Sequence, residues 1–273
     1  MVLKFLPLLL LSVVVYGQDH PAPRNTPAED STYLAAVRNF NEHDDSGEAL
    51  EEAKSGFASV LSRNPKHAPS LAYLGLIALE SNGLRTADSL FALSLASDST
   101  CPEARVGRAL WLRRRGMHQA GLEEIRRAVE LAPGSVFALR ELTTELLHHA
   151  NSDVTEGEIN EAMPHLRKLL EIDPNDRDAH HDLAQSYEQL KRWNEAALEY
   201  REVLRIGQLP EDMDVWVYMV HQDAARCFEN SGNYKESVAE LRLYLAAIKD
   251  MQADDESVRE IEKKIGELEN KSK

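Results

Sequence analysis

Cysteine is scarce in this chain. Cys101 and Cys227 are the only two in 273 residues, too few for the disulfide framework of a small secreted scaffold. Glycine (13) and proline (11) are also sparse, and aromatic residues make up only 6%; both argue against a β-sandwich and for helices packed through Ala and Leu. There is no excess of basic residues. Lys and Arg number 31 against 46 Asp and Glu, a formal charge of −15, and nucleic acid and anionic membrane surfaces need basic footprints. The apolar run at 5–16 is shorter than the roughly 20 residues of a membrane-spanning helix. No glycine-rich phosphate loop, nucleophile elbow or His-Glu-x-x-His is present. His148-His149 and His180-His181-Asp182 place histidines side by side, but neighbours on a helix point to different faces and cannot share one ion. No catalytic residue, metal or other cofactor is expected.

What is present is one unit, repeated. From Arg177 to Leu204 the sequence reads as two helical faces, Leu183, Ala184 and Tyr187 and then Ala196, Tyr200 and Val203, joined by a turn at 191–194. If Arg177 is position 1, the small residue at position 20 is Ala196, and its counterparts are Ala53, Ala87, Gly121, Ala162 and Ser237. The large apolar residue four places on recurs as Phe57, Phe91, Ile125, Leu166, Tyr200 and Leu241. The first two steps are 34 residues each; the next three are 41, 34 and 41, so two copies carry insertions. Pro65, Pro133 and Pro174 sit where second helices end. This pattern resembles the tetratricopeptide repeat, a helix-turn-helix unit of 34 residues. The resemblance implies an all-α fold, a right-handed α-solenoid of about six repeats, closed by a polar-backed capping helix. With helices about 8–10 Å apart, Cys101 and Cys227 are expected to be out of disulfide reach, and Cys227 to be a core thiol.

In chain order, residues 1–17 have the form of a secretory signal peptide, with Lys4, the apolar run and the small or branched Val15 and Gly17 before a cleavage site at Gln18. Residues 18–30, with Pro21, Pro23 and Pro27, read as a disordered leader. Ser31 and Thr32 are placed to cap a first helix that buries Tyr33, Ala36, Val37 and Phe40. The solenoid domain is expected over 31–273, with the capping helix at 254–270. Insertions are expected at 149–159 and 206–216, the second extending a helix backwards from Tyr218 towards Met213. Pro164 is expected in the first turns of its helix. Charge is uneven: from Gly134 onward there are 17 basic and 30 acidic residues, a half that suits a basic partner.

The resemblance also implies a site. In tetratricopeptide-repeat proteins the first helices line a concave groove, and positions 2, 5, 9, 12 and 13 look into it. Carried onto this sequence, those positions give a peptide-binding groove of Leu76, Leu79, Val106, Leu110, Arg113, Arg114, Phe137, Arg140, Thr144, His181, Gln185 and Arg226. Its first half is apolar with an arginine cluster, suited to apolar anchors and a carboxylate near Arg113, Arg114 and Arg140. Its second half is polar. The expected function is that of a non-enzymatic, exported scaffold, periplasmic or extracellular, that binds a protein or peptide, with no nucleic acid and no stable membrane insertion after signal cleavage. The alternative is an enzyme or small-ligand-binding protein that uses the 149–159 loop and the region of His181.

Overall fold

A computed structural model describes residues 27–42, 47–148, 154–207, 215–250 and 255–272. Among them lie thirteen helices and no strand. Six helix pairs follow the six repeats: α1 (Pro27–Asn41) with α2 (Glu48–Arg63), α3 (Ala68–Glu80) with α4 (Leu84–Ser97), α5 (Pro102–Arg114) with α6 (His118–Leu131), α7 (Val136–Leu147) with α8 (Glu156–Ile172), α9 (Arg177–Gln189) with α10 (Trp193–Ile206), and α11 (Val215–Asn230) with α12 (Tyr234–Asp250). The thirteenth, α13 (Asp255–Lys271), packs on α12 through Ile265 and Leu268. The fold is an all-α solenoid of helical repeats. It comprises two compact units, 1–138 and 139–273, where the sequence suggested one uninterrupted stack; the division falls within α7, the first helix of the first repeat to carry an insertion.

The repeat positions read from sequence are the core. All six large residues at position 24 are buried, with Phe57, Phe91, Ile125 and Leu166 fully enclosed. Position 20 must be small because it lies against the carbonyl of position 8 on the paired helix. A Cβ on Gly121 would stand 3.0 Å from the Ala109 carbonyl oxygen, and Ser237 uses the same approach to donate a hydrogen bond to the Ala225 carbonyl at 2.8 Å. The tightest packing surrounds Phe91 of α4. A Cβ built on Gly75 of α3 would come within 2.5 Å of its ring, and one on Gly107 of α5 within 2.2 Å, so one aromatic edge fills the space that two glycines leave open.

The turn within a repeat has a fixed backbone requirement. Asn82, Gly116, Lys191 and Gly232 occupy position 15 of their repeats, and all four have φ between 57° and 80°. This left-handed conformation ends the first helix, and a lysine side chain adopts it at a cost of about 1 kcal/mol. Lys191→Gly is therefore expected to stabilise the C-terminal unit by about 1 kcal/mol, read as a higher urea midpoint with an unchanged slope; a lower midpoint would contradict the strain assigned to this turn.

A second device also recurs. A basic side chain at position 4 of the first helix meets a glutamate at position 23 of the second: Arg105 with Glu124 (3.2 Å), His180 with Glu199 (2.7 Å) and His221 with Glu240 (2.8 Å). Glu240 is almost wholly buried and is also bound by Arg201 Nε at 2.8 Å. Burial opposes its charge, but the hydrogen bonds from His221 and Arg201 outweigh that and hold its carboxyl below the usual range.

Several boundaries differ from the sequence reading. Helix α1 starts at Pro27, ahead of the Ser31–Thr32 cap, because proline is accommodated in a first turn whose N–H groups have no intrahelical partner. Tyr33, Ala36, Val37 and Phe40 are buried as expected. Helix α8 starts at Glu156, so the second part of the 149–159 excursion is helix. Thr155 caps it in a reciprocal box, its Oγ1 accepting from the Glu158 N–H while its own N–H donates to the Glu158 carboxylate. Pro164 lies in the interior of α8 on an exposed face, where the helix forgoes one backbone hydrogen bond. Helix α11 extends back to Val215. The signal peptide at 1–17, the leader over 18–26, the loop at 149–153 and Met213 lie outside the described residues. No described helix is long and apolar enough to cross a membrane. Both cysteines are free and buried.

Candidate functional site

The first helices of the N-terminal unit place their expected groove residues differently from the resemblance. Leu76 (4% exposed), Leu79 (3%) and Val106 (0%) are closed into the core. Helices α3 and α5 pack directly on each other, and Leu76 and Leu79 join Phe57 and Phe91 in one apolar cluster, with Leu110 and Phe137 half-buried against it. Apolar side chains so enclosed hold helices together and offer a ligand no surface. Arg113 is half-buried, with its stem beside Gly121. Arg114 donates from Nη1 to the Leu79 carbonyl at 2.6 Å, where a guanidinium satisfies the end of α3. Arg115 lies over the Trp111 ring at 4.9 Å.

In the C-terminal unit, Arg140 pairs with Asp176, which is itself the N-cap of α9 and accepts from the Ala179 N–H at 3.0 Å. Both partners are largely buried, 15% and 8% exposed. Arg140 thus fastens α7 to the start of α9, and its charge is answered from within the chain. The heads of Arg114 and Arg140, expected to meet a ligand carboxylate, each bond to an oxygen of the protein itself. Thr144 is exposed. His148 Nε2 faces the Asp182 carboxylate at 3.0 Å, and that hydrogen bond raises its pKa.

The residues that come together lie on α9, α10 and α11. Gln185, Glu188 and Gln189 of α9, Lys191 in the turn, Trp193 and Tyr200 of α10, and Asp223 and Arg226 of α11 line an open cleft of about 570 Å³. Of the expected site residues, Gln185 and Arg226 line it directly, and His181 lies outside the lining with its ring edge-on to Tyr200 at 5.9 Å. Glu188 organises the floor. One of its oxygens accepts from Arg226 Nε (3.0 Å) and Nη2 (2.8 Å), and the other accepts from the Tyr200 hydroxyl (3.0 Å). Arg226 also reaches Asp223 at 2.8 Å.

One arginine thus serves two carboxylates. Burial raises the Asp223 pKa; Arg226 works against the rise and Glu188 adds to it. Burial likewise raises Asp178, only partly opposed by Arg140. The Tyr200 phenol is pushed up by burial and by the charges of Glu188 and Asp223. Cys227, enclosed behind the cleft, is pushed up to about 12, mainly by burial. It is an inert core thiol.

Sequence reasoning did not assemble Lys191, Trp193, Tyr200 and Asp223 into a site. Two signals were nevertheless present. Tyr200 is the only phenol at position 24, where the other copies have Phe, Ile or Leu, and Lys191 is the only lysine at a turn position that elsewhere holds Gly or Asn. Among the described residues, no three His, Cys, Asp or Glu side chains are grouped as metal ligands.

The adjacent histidines of α9 titrate in opposite directions. Burial disfavours the charged form of His180, but Nδ1 faces Glu199 at 2.7 Å, Nε2 faces the Pro174 carbonyl at 3.2 Å, and Glu202 adds attraction, so its pKa is raised. For His181 burial prevails over Asp182, Asp223 and Asp178, with His148 opposing its charge, and its pKa is lowered. A raised histidine pKa contributes stability that is complete below its unfolded value, about 6.5, and lost as pH rises through the folded value. A lowered one contributes stability present above about 6.5 and lost as pH falls through that value. His180→Gln is therefore expected to cost more at pH 5 than at pH 8, and His181→Gln less at pH 5 than at pH 8, in urea midpoints over that range. Parallel profiles for the two variants would contradict these environments.

Comparison with known proteins agrees with the repeat architecture. Residues 154–214, which include α8, α9 and α10, match the family model of the tetratricopeptide repeat. The chain matches none of the curated proteins in sequence. Among solved structures it is similar to YrrB, described as a TPR protein with an unusual peptide-binding site (16% identity, 76% of this chain and 97% of that one, TM-score 0.54). It is also similar to pilF of Pseudomonas aeruginosa (16% identity, 87% and 99%, TM-score 0.55) and to yeast Tom70 (19% identity, 74% and 40%, TM-score 0.57). At these identities the likeness is one of fold.

Proposed function

We propose that this chain, a protein built of tetratricopeptide repeats, is a non-enzymatic scaffold that binds a peptide segment of another protein on the face formed by α9 and α11. The α9–α10–α11 cleft carries this reading. It is open, has Trp193 in its lining and the hydrogen-bonded Tyr200–Glu188–Arg226 chain, and displays Gln185 and Gln189 one helical turn apart, at a spacing that lets two carboxamides meet successive peptide groups of a segment laid along the helix. YrrB, whose fold this chain shares, is described as having a peptide-binding site, and repeat architectures commonly serve as extended binding surfaces. This face is preferred to the arginine cluster expected from sequence because Arg114 and Arg140 each already bond to an oxygen of the chain.

The signal-like first 17 residues support export to a periplasmic or extracellular location. N-terminal sequencing of the mature protein is expected to begin at Gln18, and a retained Met1 would overturn the cleavage reading. For the binding role, the test is crosslinking from the native compartment with a photoreactive residue placed at Gln189. A partner peptide crosslinked there and not from a probe on α13 is the expected result. Equal labelling from both positions would overturn the assignment of this face.

A further inference from the structure

The cleft's electrostatics are those of an incomplete ion cluster. Glu188 and Asp223 share the single guanidinium of Arg226. Glu188 accepts three hydrogen bonds in all, from Arg226 Nε and Nη2 and from the Tyr200 hydroxyl, whereas Asp223 meets Arg226 through one oxygen. A carboxylate offers about four lone-pair positions, so acceptor capacity is left over on the cleft floor, chiefly on Asp223. Asp178 and Asp182 stand close by, acting with Asp223 on the His181 ring. In the cleft lining itself two carboxylates, Glu188 and Asp223, share Arg226, with Lys191 as the other cation, while Asp178 and Asp182 meet Arg140 and His148. Burial is the main cause of the raised pKa values of Asp178 and Asp223, and Arg140 and Arg226 oppose it.

We infer that this cleft anchors a lysine or arginine side chain of the bound peptide, its cationic head on Asp223 and Glu188 and its aliphatic stem along Trp193. This rests on the peptide-binding reading above. The shape suits such a ligand. A volume of about 570 Å³ admits a long side chain with part of its backbone, Trp193 in the lining can receive its methylenes or a guanidinium plane, and Glu188 and Asp223 supply the carboxylates. An anionic anchor would meet the opposite situation. It would have to take Arg226 from Glu188 and Asp223, leaving two part-buried carboxylates unpaired. The charge of −13 carried from Gly134 onward steers basic segments towards this unit and acidic ones away.

The test is selection of a displayed random-peptide library on the full chain, followed by fluorescence anisotropy of the enriched peptides against variants. The expected consensus contains Lys or Arg. Asp223→Asn is expected to weaken its binding about tenfold, whereas Glu267→Gln, which removes an equal charge from the exposed surface of α13, is expected to leave it unchanged. Lys191→Gly, which removes the competing rim cation, is expected to tighten binding, a gain that misfolding cannot produce. Enriched peptides that lack basic residues, or equal effects of Asp223→Asn and Glu267→Gln, or weakening by Lys191→Gly, would overturn the basic anchor and leave the peptide-binding reading standing. A selection that enriches no peptide would remove both.

Discussion

Phe91→Ala is expected to destabilise the N-terminal unit by about 3–5 kcal/mol, the range for emptying a fully buried aromatic site. The residue is 0% exposed and fills the gap that Gly75 and Gly107 leave between α3, α4 and α5. Two glycines that approach the same ring edge within 2.5 Å or less of a built Cβ give this site a diagnostic beyond the single loss. In the wild-type background Gly107→Ala forces its methyl into the ring and is expected to cost about 1–3 kcal/mol. In the Phe91→Ala background the obstacle is gone, and the same change is expected to stabilise by up to about 1 kcal/mol through helix propensity. The measurement is a double-mutant cycle by urea denaturation, with hydrogen exchange over residues 68–131 to localise the effect. Additive effects would show that the glycines and the ring do not compete for one space.

Asp176→Ala is expected to cost about 3–5 kcal/mol in the C-terminal unit, because one carboxylate does two tasks. It caps α9 through the Ala179 N–H, worth about 0.5–2 kcal/mol, and it neutralises Arg140, whose guanidinium is otherwise left largely buried. Asp178, 3.9 Å from Arg140 Nη1, offers a partial replacement and sets the expectation towards the lower end. Asp176→Asn separates the two tasks, since asparagine caps as well as aspartate but carries no charge, and it is expected to lose the ion-pair part alone. If Asp176→Asn and Asp176→Ala are equally destabilising, capping is not a separate contribution. If Asp176→Asn is neutral, the buried pair is not what holds α7 to α9.

The consequences of these two sites differ. Damage at Phe91 loosens the unit that holds the enclosed Leu76, Leu79 and Val106, whereas damage at Asp176 loosens α9, which supplies one wall of the cleft. Asp176→Asn is accordingly a control for binding experiments: a peptide held at Asp223 and Glu188 loses affinity only to the extent that α9 loses order.

Much of the architecture was legible in the sequence because the repeat imposes it locally. The small residue at position 20, the large one at position 24 and the prolines after second helices are requirements of each hairpin, met again in every copy, and six copies in register average out the irregularities of any one. Helix boundaries such as those of α2 and α3 follow from the same rules. The start of α8 was less legible because the Thr155–Glu158 box lies inside a stretch whose spacing departs from the repeat. The candidate site was read less well. Groove positions taken from the resemblance include Gln185 and Arg226, which line the cleft, but also the enclosed Leu76, Leu79 and Val106, since a position number does not say whether a neighbouring helix closes over the side chain.

The sequence by itself determined an all-α chain of six helical hairpins, its core positions and its charge imbalance, because these depend on spacing along the chain and on composition. Only the tertiary structure decided which charges are engaged with one another within the protein. Arg114 meets the Leu79 carbonyl 35 positions away, Arg140 meets Asp176 36 away, and Arg226 meets Glu188 38 away. Such distances in sequence become contacts through the packing of successive first helices, and that same packing sets Trp193, Tyr200, Glu188 and Asp223 around one cleft.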